Sequence, residues 1–144
     1  MLSPNPRILY VDDNKDSCEM ISLMLHLADD SYQVSTVSTQ QSLALIESQS
    51  VDLYILDYAL PEMTGIELCR RIRQTGSQTP VLFYSAMARE TDRNEAIAAG
   101  ATEYLVKPND LDKLTETIKR LLDESSTISK GESSINTKAN GGIY

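Results

Sequence analysis

The chain has 144 residues, 41% of them hydrophobic and 24% charged. That size and balance suit one globular domain and exclude a collagen-like or wholly disordered chain. Thirteen Lys and Arg against 21 Asp and Glu leave a net charge of −8, and so acidic a surface repels phosphate backbones, which argues against direct nucleic-acid binding.

Residues 1–6 carry neither the basic nor the apolar region of an export signal and read as an N-terminal extension. No apolar run approaches the ~20 residues of a bilayer span, so no membrane insertion and a cytoplasmic location are expected. Ile8-Leu9-Tyr10-Val11 is a continuous apolar run of strand formers. Asp16 to Ala28 sets Ile21, Met24, Leu25 and Ala28 at helical spacing. Tyr32 to Val37 predicts a second strand, and Thr39 to Ser48 a short helix with Leu43 and Ile46 inward. Val51 to Leu56 is a third strand. Gly65 to Thr75 places Ile66, Cys69 and Ile72 three apart, a helix stopped by Gly76. Pro80 opens a fourth strand, Val81 to Tyr84. Arg89 to Ala99 is an alanine-rich helix closed by Gly100, and Glu103 to Val106 is the fifth strand. Asn109 or Asp110 caps a last helix carrying Leu111, Leu114, Ile118 and Leu121 on one side. Beyond it the chain turns to Ser, Thr, Asn and Gly, so residues 123–144 are expected to be a flexible tail, too short for a second domain.

Five βα repeats with near-continuous apolar strands predict an α/β fold: a five-stranded parallel sheet, doubly wound, with helices on both faces. Such folds bind ligands beyond the carboxyl ends of the strands, where the strand order reverses. The informative residues are therefore Asp12 and Asp13 after the first strand, Asp57 after the third, Ser85 after the fourth and Lys107 after the fifth. Each alone has a plainer reading: a helix cap for Asp12 or Asp13, a strand end for Asp57, a turn residue for Ser85, a surface charge for Lys107. Independent accidents would scatter over both edges of the sheet, whereas these five share one.

Three carboxylates in one site raise one another's pKa, and a hard divalent cation, Mg2+ or Mn2+, resolves the conflict. Such an ion leaves a position for a phosphate oxygen; Lys107 suits a second and the Ser85 hydroxyl a third. The edge then reads as a site of phosphoryl transfer, with Asp57 the nucleophile that forms an acyl phosphate. Removing Asp57 is expected to relieve like-charge repulsion. Cys18 and Cys69 match no metal or redox spacing and read as reduced, buried and structural, and His26 alone is too little for a His-based metal site.

Over residues 7–122 the chain resembles the receiver domain of two-component response regulators. The matching stretches are Ile8 to Asn14, Asp57 to Gly65, Ser85-Ala86, and Gly100-Ala101 through Tyr104 to Pro108. The resemblance implies a flavodoxin-like fold with Asp57 as phosphoacceptor and Asp12 and Asp13 as metal-site acids. The backbone carbonyl of Ala59 would be the third protein ligand to Mg2+. It implies Lys107 as a phosphate contact, Ser85 as the phosphate-sensing hydroxyl, Tyr104 as an aromatic switch whose ring moves into space freed by Ser85, and a cis peptide before Pro108. Ala59 and Met87 would flank the approach of water, and neither hydrogen-bonds it well, so slow self-dephosphorylation is expected. Asn109, where an aromatic often follows Lys-Pro, and Ser85, where threonine is more frequent, depart from the commonest pattern.

The implied function is a stand-alone receiver. It takes a phosphoryl group from a sensor histidine kinase or phosphotransfer protein, then engages an unidentified downstream protein or relays the group, with a dimer through the fourth helix, fifth strand and fifth helix as one arrangement. The main rival is an unphosphorylated pseudo-receiver acting as a binding module. An aspartyl-phosphate hydrolase would want an acid at position 59, and a nucleotide-binding enzyme a glycine-rich loop in place of Asp12-Asp13-Asn14.

Overall fold

A strand covered on both faces must be apolar throughout, because successive side chains point to opposite sides. Three segments meet that condition fully or nearly so: β1 (Arg7–Val11), β3 (Leu53–Leu56) and β4 (Val81–Ser85). In the computed structural model, which describes residues 5–47 and 50–135 and their side chains as far as residue 125, these three are adjacent. The sheet is fully parallel in the order β2-β1-β3-β4-β5. β2 (Gln33–Val37) and β5 (Glu103–Val106) are the edges; the mixed Gln-Val-Ser-Thr-Val sequence of β2 suits a strand covered on fewer sides.

The helices begin where the sequence supplies side-chain caps. The Asn14 carboxamide accepts from Ser17 N at the start of α1 (Lys15–Ala28). Ser38 with Gln41 and Thr64 with Glu67 form reciprocal capping pairs at α2 (Thr39–Leu45) and α3 (Gly65–Gln74). The Asp92 carboxylate accepts from Arg89 N at the start of α4 (Glu90–Ala98). Gly76 and Gly100 take the left-handed backbone (φ 88° and 113°) that lets α3 and α4 stop and turn.

Alternation along the strands divides the core. Ile8, Tyr10, Ile55, Leu82 and Tyr84 face Ile21 and Leu25 of α1 and Leu114, Ile118 and Leu121 of α5 (Leu114–Ile135). Leu9, Val11, Leu56 and Phe83 face Ile66, Cys69 and Ile72 of α3 and Ala96 of α4. Each fully buried large apolar side chain contributes ~2 kcal/mol. Cys69 is buried and free; Cys18 is free but only half-buried.

Most element limits lie within a residue or two of the sequence expectation. Two differ more. Asp110 does not cap α5: its carboxylate accepts from Val106 N at 2.9 Å, and a 3-10 turn, Leu111–Lys113, intervenes. The Lys107–Pro108 peptide is cis, as the resemblance implies. The stretch expected as a tail begins as a continuation of α5 to Ile135: the run from Asp123 has no proline, and a helix already seeded upstream propagates without a second nucleation, through Ser, Thr and even Gly131 of poor propensity. Residues 1–4, the expected α2 end at Ser48, and residues 136–144 lie outside the described residues.

One contact fixes the start of α3. Gly65 N donates to Tyr58 O at 2.8 Å. A Cβ on Gly65 would overlap the Asp57 carbonyl oxygen and stand 2.9 Å from the Phe83 ring, so only glycine fits between them.

Candidate functional site

Strand order reverses between β1 and β3, and their carboxyl ends carry Asp12, Asp13 and Asp57. β5 adds Lys107 directly after its last residue. Lys107 Nζ donates to Asp12 Oδ2 at 2.8 Å and to Asp57 Oδ2 at 3.1 Å. The ammonium therefore sits between two carboxylates, and the repulsion expected from the sequence is already offset there. Burial pulls the Lys107 pKa down, but the bond to Asp12 and the charge of Asp57 outweigh it, and the net shift is upward.

Asp12 is buried and both of its carboxylate oxygens are bonded: Oδ2 also accepts from Tyr10 Oη at 2.9 Å and Oδ1 from Asn14 N at 3.0 Å. Burial and the adjacent Asp12 push the Tyr10 phenol far above its ordinary range. Cys18 Sγ donates to Asp12 O at 3.2 Å. Asp57 Oδ1 accepts from Ala59 N at 3.2 Å. Asp13 is exposed and leans toward α2, its Oδ1 accepting from Thr39 N at 3.3 Å. Asp12, Asp13, Asp57, Ala59 and Lys107 line one open depression of about 600 Å³.

Ser85 does not line that depression. It is fully buried at the end of β4, with Oγ accepting from Met87 N at 3.2 Å. Tyr104 is also inside: its ring stacks on Phe83 with centroids 5.6 Å apart, and its hydroxyl donates to Met87 O at 2.6 Å. Burial raises its pKa. Met87 is half-buried and Ala59 exposed.

Among the described residues no three His, Cys, Asp or Glu side chains stand together as a ready metal cage. In this arrangement Lys107 joins Asp12 to Asp57, and Asp13 bonds Thr39. The donor set still fits Mg2+ or Mn2+. It consists of hard oxygens from Asp12, Asp13 and Asp57, with the Ala59 backbone beside them, and Mg2+ keeps several waters and needs few protein ligands.

Several side chains around the site have no signal in the sequence motifs. Arg93 lies 5.5 Å from the Tyr104 ring centroid and donates to Tyr104 O at 3.3 Å. Tyr58 Oη donates to Glu95 Oε1 at 2.5 Å, which pushes its pKa up to about 12. Tyr10 alone was findable, since strand alternation puts residues 10 and 12 on one side.

A sequence model of the response regulator receiver domain matches residues 8–119. The chain belongs to this family. Receivers are phosphoacceptor signalling modules that work with histidine kinases and downstream targets. The transcriptional regulatory protein TrcR of Mycobacterium tuberculosis is 31% identical over 124 residues, 86% of this chain and 48% of that protein. The chain spans about half the length of such curated relatives. Among solved structures, the CheY-like receiver from Methanospirillum hungatei matches with TM-score 0.77 and 28% identity, covering 85% of this chain and 97% of that one. TrrA of Thermotoga maritima, solved in complex with Mg(2+)-BeF, matches with TM-score 0.69 and 29% identity over 81% of this chain and 98% of its own. No helix among the described residues is long and apolar enough to cross a membrane.

Proposed function

We propose that this receiver takes a phosphoryl group on the Asp57 carboxylate from a phosphohistidine of a sensor kinase or phosphotransfer protein. A carboxylate oxygen of Asp57 bonds to phosphorus as the phosphorus–nitrogen bond breaks, and the departing imidazole keeps the electron pair. The observation that carries the reading is Lys107 bridging Asp12 and Asp57 at the switch point of the sheet. An ammonium held there neutralises the charge a phosphoryl group brings, without moving far. A metal ion held by Asp12, Asp13, Asp57 and the Ala59 carbonyl would supply further neutralisation. Ser85 Oγ accepts from Met87 N, and its hydroxyl would donate to a phosphoryl oxygen by giving up its bond to the Tyr104 hydroxyl. Because Met87 also holds the Tyr104 hydroxyl, any pull on Ser85 reaches Tyr104 through the β4–α4 loop. The modified domain then acts by contact with a second protein, whether a target, a relay partner or another copy through α4, β5 and α5. The test is incubation with acetyl phosphate and Mg2+. A phosphoryl mass gain on the peptide bearing Asp57, absent from Asp57→Ala, is the expected result. An unmodified parent chain would return the pseudo-receiver reading.

A further inference from the structure

The segment after Asp57 is tied to the fourth helix by one side chain. Tyr58 is fixed at three points. Its carbonyl accepts from Gly65 N at 2.8 Å, its ring packs on the α3–α4 side of the core, and its hydroxyl donates to Glu95 Oε1 at 2.5 Å. Glu95 belongs to α4, 37 positions on. α4 itself is weakly anchored, with Asp92 and Ala96 its buried residues. Its other polar ties are Arg93 to Tyr104 O and, at its C-terminal end, Cys69 Sγ to Ala99 O and Arg73 to Gly100 O. Tyr104, from β5, holds the preceding loop through Met87 O. Two tyrosines thus grip consecutive pieces of chain, one from β5 and one from the acceptor segment.

We propose that Tyr58 and Glu95 form a clasp that makes the position of α4 follow the conformation of the Asp57 segment. A helix with so little buried surface lies at the low-stability end of the fold, so a single directed bond to a carboxylate is a large share of what orients it. The aromatic ring is rigid and pinned at both ends, so a backbone shift at Asp57–Tyr58 bears on its hydroxyl. Tyr58 touches no reacting atom; it is a positioning residue. The coupling to phosphorylation rests on Asp57 being the acceptor, while the clasp itself does not.

The test is hydrogen exchange on the full chain, read at the α4 amides with α1 and α3 as internal controls, without ligand and with beryllofluoride plus Mg2+. Without ligand, Tyr58→Phe should speed α4 exchange ~3- to 10-fold and leave α1 and α3 unchanged, the effect of one lost hydrogen bond. Glu95→Ala should match it, Glu95→Gln, which keeps an acceptor, should restore most of the protection, and the double variant Tyr58→Phe/Glu95→Ala should be no worse than either single one. With beryllofluoride, the α4 response of the parent should fall at least by half in Tyr58→Phe while acetyl phosphate still labels Asp57. Unchanged α4 exchange in the single variants, or additive effects in the double, overturns the clasp. A full α4 response in Tyr58→Phe overturns its coupling role. If the parent shows neither labelling nor a beryllofluoride response, the acceptor reading fails instead, and the ligand-free comparison decides the clasp alone.

Discussion

Replacing Lys107 by alanine should weaken the fold and strengthen metal binding at once. Its Nζ lies 2.8 Å from Asp12 and 3.1 Å from Asp57, and the three side chains are only 19%, 6% and 14% exposed. At an effective dielectric of about 20, each contact attracts by ~5 kcal/mol before desolvation is counted. Measured losses on breaking a buried pair are ~3–5 kcal/mol, because the abandoned carboxylate stays buried. The partial exposure of Lys107 lets water reach the gap and lowers the expected loss to ~2–3 kcal/mol. In a domain of this size that is roughly 6–10 °C in melting temperature, measured in EDTA. The same ammonium competes with a divalent cation for the same two carboxylates. Lys107→Ala should therefore bind Mg2+ about tenfold more tightly, a gain of ~1.4 kcal/mol, and millimolar Mg2+ should recover more of its melting temperature than it adds to the parent. Labelling by acetyl phosphate should fall despite the tighter metal. If the variant melts with the parent in EDTA, or its Mg2+ response is no larger, the bridge does not hold the site as argued.

Arg73 donates to Gly100 O, Ser77 O and Thr79 O, so Arg73→Ala should cost ~3 kcal/mol, about one per stranded carbonyl, read as a lower urea midpoint at constant slope. Thr39 Oγ1 is the one buried side-chain polar atom without a partner among the described residues; Thr39→Val should therefore stabilise by ~1 kcal/mol, and a fall in melting temperature would show that the hydroxyl is satisfied after all. Ala59 is exposed at the depression and Met87 half-buried, and neither orients water, so the aspartyl phosphate should be long-lived. Ala59→Asn with Met87→Glu should speed its hydrolysis at least several-fold, ~1 kcal/mol in barrier, followed by loss of label after donor removal; equal rates would free those side chains of any such role.

The fold was legible because burial on both faces leaves the inner strands almost no polar positions, and because Gly76 and Gly100 mark where helices of apolar spacing stop. The last helix was not. Its polar continuation to Ile135 looks like solvated chain, since nothing in composition separates a helix extended by its own hydrogen bonds from a tail. Membership of the site was legible for Asp12, Asp13, Asp57 and Lys107, because the end of a strand is a place and the fold class says which end matters. Their pairing was not. That Lys107 chooses Asp12 and Asp57 while Asp13 turns to Thr39 depends on angles between loops far apart in sequence. The Tyr58–Glu95 bond and the inward ring of Tyr104 are hidden for the same reason: each is a distance between elements, whereas a motif records only intervals along one.

Gly65 gives these parts a common clearance. The Asp57 carbonyl, the hydrogen that Gly65 carries in place of a Cβ, the Phe83 ring and the Tyr104 ring stacked on it follow one another without a gap. Close-packed interiors yield little to compression. An added methyl at position 65 has nowhere to go except into the acceptor's backbone or into the aromatic stack, and whichever gives way bears on the other. The play in this train is one hydrogen wide, so a carbonyl displaced by a few tenths of an ångström beside Asp57 is a displacement Tyr104 must also accommodate.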